Sequence, residues 1–357
     1  MGSSRKLFDC VVIGMGPAGI AILRRLDRMG FSNFVALEKE SRAGSSFAKM
    51  PEEMRLLTPT KFSLIPGLPT RLLHNAEYPS VQHYARYLEH APDSFTLNRQ
   101  IRFSEKVVDI KKEDGGIFIV QTETRTYKTR SVILATGQFS HPIMPDAAGL
   151  KNATIPMIHA SQYKNVSSVW GMRVLVVGAG NTGGEIALEL ALAGKKVWLS
   201  SRGKPRIISE KFFGLDFHYY LALLEYTARA LNFFGARSAY GKTPLVDRGI
   251  RDAIRKGRIR LLPGLTAWNG FTGKFEGGIS QNFDSVVCAT GYTHFPPWLT
   301  QLSISEDDIV RGKSKTVPGL FFVGFPDMYG PDSAFIRGIV RDAWLTGWKI
   351  KKYLLKK

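Results

Sequence analysis

Two glycine-rich loops, each set between an apolar strand and a helix, constrain this sequence more than any other feature. The first lies in FDCVVIGMGPAGIAILRR (residues 8–25) and the second in RVLVVGAGNTGGEIALELALAG (residues 173–194). Both match Gly-x-Gly-x-x-Gly, in which the glycines allow a tight turn, close approach of a pyrophosphate and packing of helix on strand. Each helix would also point unpaired N–H groups at the phosphates. The sequence therefore predicts two dinucleotide sites, with loop residues Gly14, Gly16, Pro17, Ala18 and Gly19 in the first and Gly178, Gly180, Asn181, Thr182 and Gly183 in the second.

The residue at the end of the next strand distinguishes the two predicted ligands. Glu38 stands 24 residues after the first glycine of its loop, and Arg202 stands 24 residues after that of the second. A carboxylate accepts hydrogen bonds from the hydroxyls of an unphosphorylated ribose, whereas a guanidinium binds a 2′-phosphate. We therefore predict FAD at the first site and NADPH at the second. The neighbours predicted to assist are Lys39 at the first site and Ser200, Ser201 and Lys204 at the second.

The order of strand-like and helix-like segments predicts an α/β fold with two Rossmann-like dinucleotide-binding domains. The apolar runs at 131–137 and 285–291 both end in Ala-Thr-Gly, which indicates that the second unit is inserted in the first. The predicted domains are residues 1–165 (FAD, first part), 166–284 (NADPH, with a helical insertion at about 211–240) and 285–357 (FAD, return segment and C-terminal helix). The turn residues assigned to cofactor binding are Ala135, Thr136, Gly137, Ala289, Thr290 and Gly291.

Composition narrows the class of protein. The 357 residues carry a formal net charge of +19, yet no nucleic-acid-binding module is recognisable, so no nucleic acid is expected. No apolar run reaches the roughly 18–20 residues of a membrane span, and a cytoplasmic location is predicted. Cys10 and Cys288 lie in apolar runs and predict buried side chains rather than a dithiol or a metal site. The basic tail WKIKKYLLKK predicts a helix that either touches a membrane surface or is simply solvated.

Several motifs in fixed order resemble the class B flavin monooxygenases, and within them the plant YUCCA-type enzymes and their bacterial relatives. They are LLTPTKFSLIPGLP, YPSVQHYARYLEH, VILATGQFSHPIMP, IHASQYKN, GKTPLVD, LLPGL, VVCATGYTHFPPWL and GLFFVGF. The family fingerprint has Phe and Gly six and four residues before a histidine; here Ala153 and Ile155 stand there, before His159. After Glu38 the family often has Gly-Gly-x-Trp, and here AGSSF supplies Gly44 and Phe47 as cofactor contacts.

The resemblance implies an activity. It implies that NADPH reduces FAD and that O₂ then forms a C4a-(hydro)peroxyflavin, which transfers one oxygen atom to a small organic substrate. The residues that it places near the flavin are Thr58, Lys61 and Gln138 as catalytic candidates, and Gly324 and Asp327 as cofactor contacts.

Two alternatives stay open: a flavoprotein reductase of a low-molecular-weight disulfide or another acceptor, and a non-catalytic flavin-binding redox sensor. A reductase would pass electrons to its acceptor without incorporating oxygen, and a sensor would turn over NADPH negligibly.

Overall fold

The computed structural model describes residues 2–356, apart from 74–75, 231–243, 294 and 331. The α-helices are α1 (Pro17–Arg28), α2 (Ser45–Ala48), α3 (Val81–Glu89), α4 (Ala91–Ser94), α5 (Asn181–Leu192), α6 (Phe217–Ala230), α7 (Ile250–Arg255) and α8 (Ile336–Leu354). The strands are β1 (Gly2–Ile13), β2 (Phe34–Leu37), β3 (Ile101–Arg102), β4 (Val107–Lys112), β5 (Phe118–Thr122), β6 (Arg125–Leu134), β7 (His141–Pro142), β8 (Met157–His159), β9 (Arg173–Val177), β10 (Lys196–Ser200), β11 (Ile207–Ser209), β12 (Lys211–Phe212), β13 (Leu215–Asp216), β14 (Leu245–Asp247), β15 (Ile259–Leu262), β16 (Leu265–Asn269), β17 (Thr272–Phe275), β18 (Ser280–Asn282), β19 (Ser285–Cys288), β20 (Tyr292–Thr293), β21 (Ile309–Val310), β22 (Lys313–Ser314) and β23 (Leu320–Phe322).

The first sheet has the order β21-β22-β23-β6-β1-β2-β3, with the β4–β5 hairpin paired to β6. Strands β3, β2, β1, β6 and β23 are parallel to one another. Successive residues of β1 face opposite cores, as a strand's period of two requires. Cys10 and Val12 pack with α1 and α8, whereas Val11 and Ile13 pack with residues of the β4–β5 hairpin. The carboxyl ends of β1 and β2 therefore bring the first glycine loop and Glu38 to the same edge.

The second sheet repeats the first. Its order is β15-β10-β9-β19-β8, and its strands are parallel. Val174 and Val176 pack in one core with residues of α5, and Leu175 and Val177 pack in the other with Trp198. The strand order β15-β10-β9-β19 in this sheet corresponds to β3-β2-β1-β6 in the first. In the chain, the antiparallel strands β16–β18 precede β19, just as the antiparallel strands β4 and β5 precede β6.

Sheet membership bears on the domain boundaries, which stay a prediction. Ser285–Cys288 pairs with β9 and β8 in the second sheet, so the chain has not yet returned to the first sheet at residue 285. Likewise β8, at Met157–His159, belongs to the second sheet although it lies before the predicted boundary at 165. The two Ala-Thr-Gly turns look alike because each ends the strand next to its own glycine loop. The return to the first sheet is made by β21 to β23.

The insertion predicted as helical at 211–240 begins instead with a hairpin. Strands β12 and β13 pair antiparallel around Phe213 and Gly214, both with positive φ (48° and 79°), as a two-residue hairpin turn requires. Helix α6 starts only at Phe217, and residues 231–240 of the predicted insertion lie outside the described residues.

The two crossover segments after the Ala-Thr-Gly turns meet, because β7 and β20 pair antiparallel. Near the C-terminus α8 begins at Ile336 and packs against α1. Among the described helices none is long and apolar enough to cross a membrane.

Candidate dinucleotide-binding sites

The first glycine loop is closed by backbone contacts that leave space at its centre. Gly14 has φ +102°, and a Cβ there would lie 2.5 Å from the Ala135 carbonyl oxygen. A Cβ on Gly19 would lie 1.9 Å from the Gly14 carbonyl oxygen, whereas a Cβ on Gly16 would meet nothing within 4 Å. The outer glycines are thus required by packing, and the open space at Gly16 fits a pyrophosphate at the start of α1.

Glu38 lies beside this loop at the end of β2. Its Oε2 accepts a hydrogen bond from the Met15 backbone N–H at 2.7 Å, and its Oε1 accepts one from Glu40 N–H at 3.0 Å. The side chain is 8% exposed, and burial raises the pKa of its carboxyl above the ordinary value. Each oxygen keeps a second lone pair for a ribose hydroxyl, so the carboxylate fits an unphosphorylated adenosine. The neighbouring Lys39 is exposed.

A buried polar atom without a partner lies in the turn next to this loop. Thr136 Oγ1 has no hydrogen-bond partner among the described residues, and a buried hydroxyl normally has one. Ala135 donates its N–H to the Ile13 carbonyl at 2.9 Å and carries the oxygen that packs on Gly14, while Gly137 has φ +69°. The Thr136 Cα lies 3.3 Å from where a Cβ on Gly14 would be, so an unsatisfied hydroxyl next to this loop is consistent with a bound cofactor.

The segment after β23 contacts the same loop. A Cβ on Gly324, at φ +79°, would lie 2.8 Å from the Ala18 side chain, so Gly324 packs on the first turn of α1 just after Pro17. Asp327 is exposed on the following turn.

The predicted contacts in AGSSF differ from each other in role. Gly44 donates its N–H to the Met15 carbonyl at 2.9 Å and is held at the loop. Phe47 is buried in the core with its ring 4.9 Å from that of Tyr84, edge to face. Its packing is explained by that core.

The second glycine loop has nearly the same backbone geometry as the first. Gly178 has φ +106°, and a Cβ there would lie 2.3 Å from the Ala289 carbonyl oxygen. A Cβ on Gly183 would lie 1.8 Å from the Gly178 carbonyl oxygen, and a Cβ on Gly180 would meet nothing within 4 Å. Space for a pyrophosphate is therefore present at the start of α5 as well.

The basic residues after β10 face solvent. Arg202 and Lys204 are exposed and have no hydrogen-bond or ion-pair partner among the described residues, and Ser201 is half-buried between them and the sheet. Ser200 differs from its prediction, since it is buried and donates its hydroxyl to the Pro263 carbonyl at 2.7 Å. Two cationic side chains thus remain available for a 2′-phosphate, and Ser200 has a structural role.

The polar residues of the second loop are partly committed to the protein. Asn181 Oδ1 accepts the Val246 backbone N–H at 2.8 Å, which ties the first residue of α5 to β14. Thr182 is half-buried in the same turn. Thr290 donates its hydroxyl to the Ile143 carbonyl, and the Gly291 carbonyl accepts from Ile143 N–H at 3.0 Å.

The three catalytic candidates differ in burial and in the residues that they contact. Thr58 is buried, and its carbonyl accepts the Ser63 hydroxyl at 3.3 Å. Lys61 is exposed, with its Nζ 4.0 Å from the centre of the Tyr219 ring on α6. Gln138 is half-buried directly after the first Ala-Thr-Gly turn. Lys61 contacts the insertion rather than a glycine loop.

A polar cluster between the two units was not predicted from the sequence. Arg248 lies between Glu185 and Glu210, and nearby Tyr78 donates its hydroxyl to Asp216. These residues come from distant segments, and the only signal was the motif GKTPLVD, which ends one residue before Arg248.

Comparison with known proteins supports this description. A model of the pyridine nucleotide-disulphide oxidoreductase family matches residues 11–213. An uncharacterized CzcO-like oxidoreductase from Geobacillus kaustophilus is 29% identical over 346 residues, covering 95% of this chain and 97% of the relative. The probable indole-3-pyruvate monooxygenase YUCCA4 of Arabidopsis thaliana is 28% identical over 353 residues, covering 88% of this chain and 84% of the relative. The resemblance that the motifs indicated is confirmed.

The fold is confirmed by a solved structure. A double mutant of a flavin monooxygenase from Stenotrophomonas maltophilia matches with a TM-score of 0.82 and 23% identity, covering 98% of this chain and 99% of that one.

Proposed function

The chain belongs to the pyridine nucleotide-disulphide oxidoreductase family, and from that premise we propose that it is an NADPH-dependent FAD monooxygenase acting with O₂ on a small organic substrate. The observation that carries the proposal is the pair of equivalent glycine loops with opposite charges beside them, Glu38 at one and Arg202 at the other. One site suits an unphosphorylated dinucleotide and the other a 2′-phosphate. The similarity to YUCCA4, a probable indole-3-pyruvate monooxygenase, supports the choice of reaction.

The protein's own part in the reaction is binding and orientation. When bound, FAD supplies the capacity to take a hydride from NADPH and to deliver the electrons to O₂. Glu38 would hold the adenosine ribose of FAD, with the N–H groups at the start of α1 on its pyrophosphate. Arg202 and Lys204 would hold the 2′-phosphate of NADPH, with the start of α5 on its pyrophosphate. Thr58, Lys61 and Gln138 stay predictions as neighbours of the flavin.

The domain division is also a proposal. Sheet membership supports an NADPH unit that runs from β8 to β19 and an FAD unit made of the segments before and after it.

The test is to reduce the purified flavoprotein with NADPH without oxygen, then add O₂ and candidate substrates. A monooxygenase consumes O₂ together with NADPH and, with its substrate, releases less H₂O₂ than the NADPH it oxidises. H₂O₂ equal to NADPH with every substrate, together with rapid reduction of a disulfide, would favour the reductase. Negligible NADPH oxidation would favour the sensor.

The two cysteines bear on the reductase alternative. Cys10 and Cys288 are both fully buried, and burial raises the pKa of each thiol to about 12. Neither is a reactive thiolate, so a disulfide acceptor would have to take electrons without a protein dithiol.

We also propose peripheral contact of α8 with an anionic membrane surface. Trp344 and Trp348 are each 49% exposed, Leu355 is 76% exposed, and the guanidinium of Arg25 lies 5.1 and 5.3 Å from the two indole rings. Exposed aromatic rings among cations suit anionic lipid headgroups. The cytoplasmic location stays a prediction.

Vesicle sedimentation tests this contact. We expect the protein to sediment with phosphatidylserine vesicles more than with phosphatidylcholine vesicles, and the W344S/W348S variant to lose that difference. Trp170, 68% exposed elsewhere, provides the control W170S. Equal sedimentation of all three proteins would mean that α8 is an ordinary solvated helix.

A further inference from the structure

We infer that Arg248 is a positioning residue that fixes the NADPH loop relative to the segment predicted to pass the flavin, an inference that rests on the proposed function. Its guanidinium is a three-way junction. Nε donates to Glu210 Oε1 at 2.7 Å, Nη2 donates to the Leu56 carbonyl at 3.0 Å, and Nη1 lies 3.5 Å from Glu185 Oε1. The fork therefore holds three segments at once.

One arm of the junction leads to the second glycine loop. Arg248 follows β14 directly, and the backbone N–H of Val246 in β14 donates to Asn181 Oδ1 at 2.8 Å. Asn181 is the first residue of α5, and Glu185 lies one turn further along the same helix. Arg248 is thus connected to α5 at both ends of its first turn.

The other arm leads to the first unit. Leu56 stands two residues before Thr58, and its carbonyl accepts from Arg248. The guanidinium also lies 5.1 Å from the centre of the Tyr78 ring, and the Tyr78 hydroxyl donates to Asp216. Asp216 in turn accepts the His218 N–H at 2.7 Å. Arg248 and Tyr78 therefore join this segment to the second unit, beside the contacts of Lys61 and Phe62 with Tyr219 and of Glu77 with Lys211.

Only a planar guanidinium can make the contacts with Glu210, the Leu56 carbonyl and Glu185 together. A lysine would keep the positive charge but has a single ammonium, which cannot reach Glu210 and the Leu56 carbonyl with the same geometry. Arg248 is 21% exposed on its side chain, so water replaces its bonds poorly. Loss of the fork should let the two units shift by a fraction of an ångström without loss of binding charge.

Such a shift has a specific kinetic consequence. Hydride transfer depends on the approach of two reacting atoms, and a misplacement of about 1 Å can slow a reaction about 100-fold. The bonds to the 2′-phosphate are made by residues after β10 and would not change. We therefore expect R248K to slow flavin reduction about 10- to 100-fold at saturating NADPH, with less than about a threefold change in the Kd of NADP⁺.

The experiment compares R248K with the matched control R255K in the FAD-loaded protein. Arg255 is 79% exposed and pairs only with Asp252 in the described structure. Anaerobic stopped-flow absorbance gives the reduction rate, and titration gives the Kd. Hydrogen exchange of residues 56–63 gives a readout that needs no turnover, and we expect faster exchange in R248K alone.

The outcomes separate the two claims. Unchanged hydrogen exchange of residues 56–63 in R248K, or an unchanged reduction rate, overturns the role of Arg248. A wild-type flavin that NADPH does not reduce overturns the proposed function, and hydrogen exchange then still decides whether Arg248 joins the units. If R248K fails to fold, E210Q removes one arm of the junction and should give the same effects more weakly.

Discussion

The two glycine loops have similar backbone geometry and share their three glycines, but the residues between and after those glycines differ. Their first glycines have φ +102° and +106°. A Cβ on the third glycine of each loop would lie 1.9 or 1.8 Å from the carbonyl oxygen of the first glycine of that loop. Around this common turn the first loop has Pro17, Ala18 and Ala21 on its helix, and the second has Asn181, Thr182 and Glu185 at the same places. Backbone geometry thus provides a phosphate site. The side chains decide which nucleotide occupies it and how the helix after the loop is held in the protein.

The helix after the first loop is held by apolar packing. Gly324 meets Ala18, and Ile339 and Ala343 of α8 share a core with α1. The helix after the second loop is also held by polar contacts, because Asn181 and Glu185 lead to β14 and Arg248, and Arg248 reaches the first unit at the Leu56 carbonyl. A firmly packed site suits a resident cofactor, whereas a polar junction suits a co-substrate that arrives and leaves.

The largest expected effect comes from the third glycines. In G19A and G183A the new methyl would lie within 2 Å of a backbone carbonyl oxygen, which cannot move as a flexible side chain would. We expect G19A to purify with little FAD, and G183A to keep FAD but lose reduction by NADPH by about 5- to 150-fold, in line with overpacking costs of about 1–3 kcal/mol. FAD content by absorbance and anaerobic reduction by NADPH measure the two effects.

The variants G16A and G180A sharpen that comparison. A Cβ at either place meets no protein atom within 4 Å, so the fold should be unaffected while the space for the pyrophosphate is reduced. If G19A and G183A both lost FAD and NADPH to the same extent, the assignment of one cofactor to each loop would be wrong.

The second effect concerns the charged residue after each loop. R202A should weaken NADPH much more than NADH, by about 1–3 kcal/mol, because only NADPH carries the 2′-phosphate. Steady-state kcat/KM for the two nucleotides measures the change, and R258A, which removes another exposed arginine, is the control. Equal losses for NADPH and NADH in R202A would contradict the assignment.

The local features were predictable from sequence, and the long-range ones were not. The loops, Glu38 and Arg202 are encoded within about 25 consecutive residues, so spacing alone predicts them. SVVCATG and SVILATG look alike in the sequence, and only pairing with β9 decides which sheet holds β19. The hydrogen bond of the Ser200 hydroxyl to the Pro263 carbonyl is likewise not visible in the sequence.

The hairpin at 211–216 and the contacts of Arg248 were not predicted from the sequence, and the reasons differ. The hairpin at 211–216 left a readable signal, since Phe213-Gly214 between apolar residues is a two-residue turn, but the surrounding aromatic residues favoured a helix. Arg248 left only the motif GKTPLVD directly before it, because its three partners are separated from it by 38 to 192 residues.

The smallest expected effect is on stability, and it tests the polar side of the comparison. Burial raises the pKa of Glu185 to about 7, and the nearby Arg248 opposes that rise. The folded chain therefore holds this proton more tightly than the unfolded chain, so the free energy of unfolding should fall as pH rises from about 4.5 to about 7. Ala21 stands at the same place in the first loop and contributes no such dependence.

E185Q removes the titrating group while keeping its size. We expect the wild type to lose on the order of 1–2 kcal/mol between pH 5 and pH 8 relative to E185Q, measured by urea unfolding at both pH values. Glu113, exposed in the β4–β5 turn, gives the control E113Q, which should follow the wild type. Parallel pH profiles of the wild type and E185Q would show that the carboxyl is as well solvated in the folded chain as in the unfolded one. The second unit would then be joined to the first without burying a charge, and the contrast between an apolar and a polar junction would lose its energetic basis.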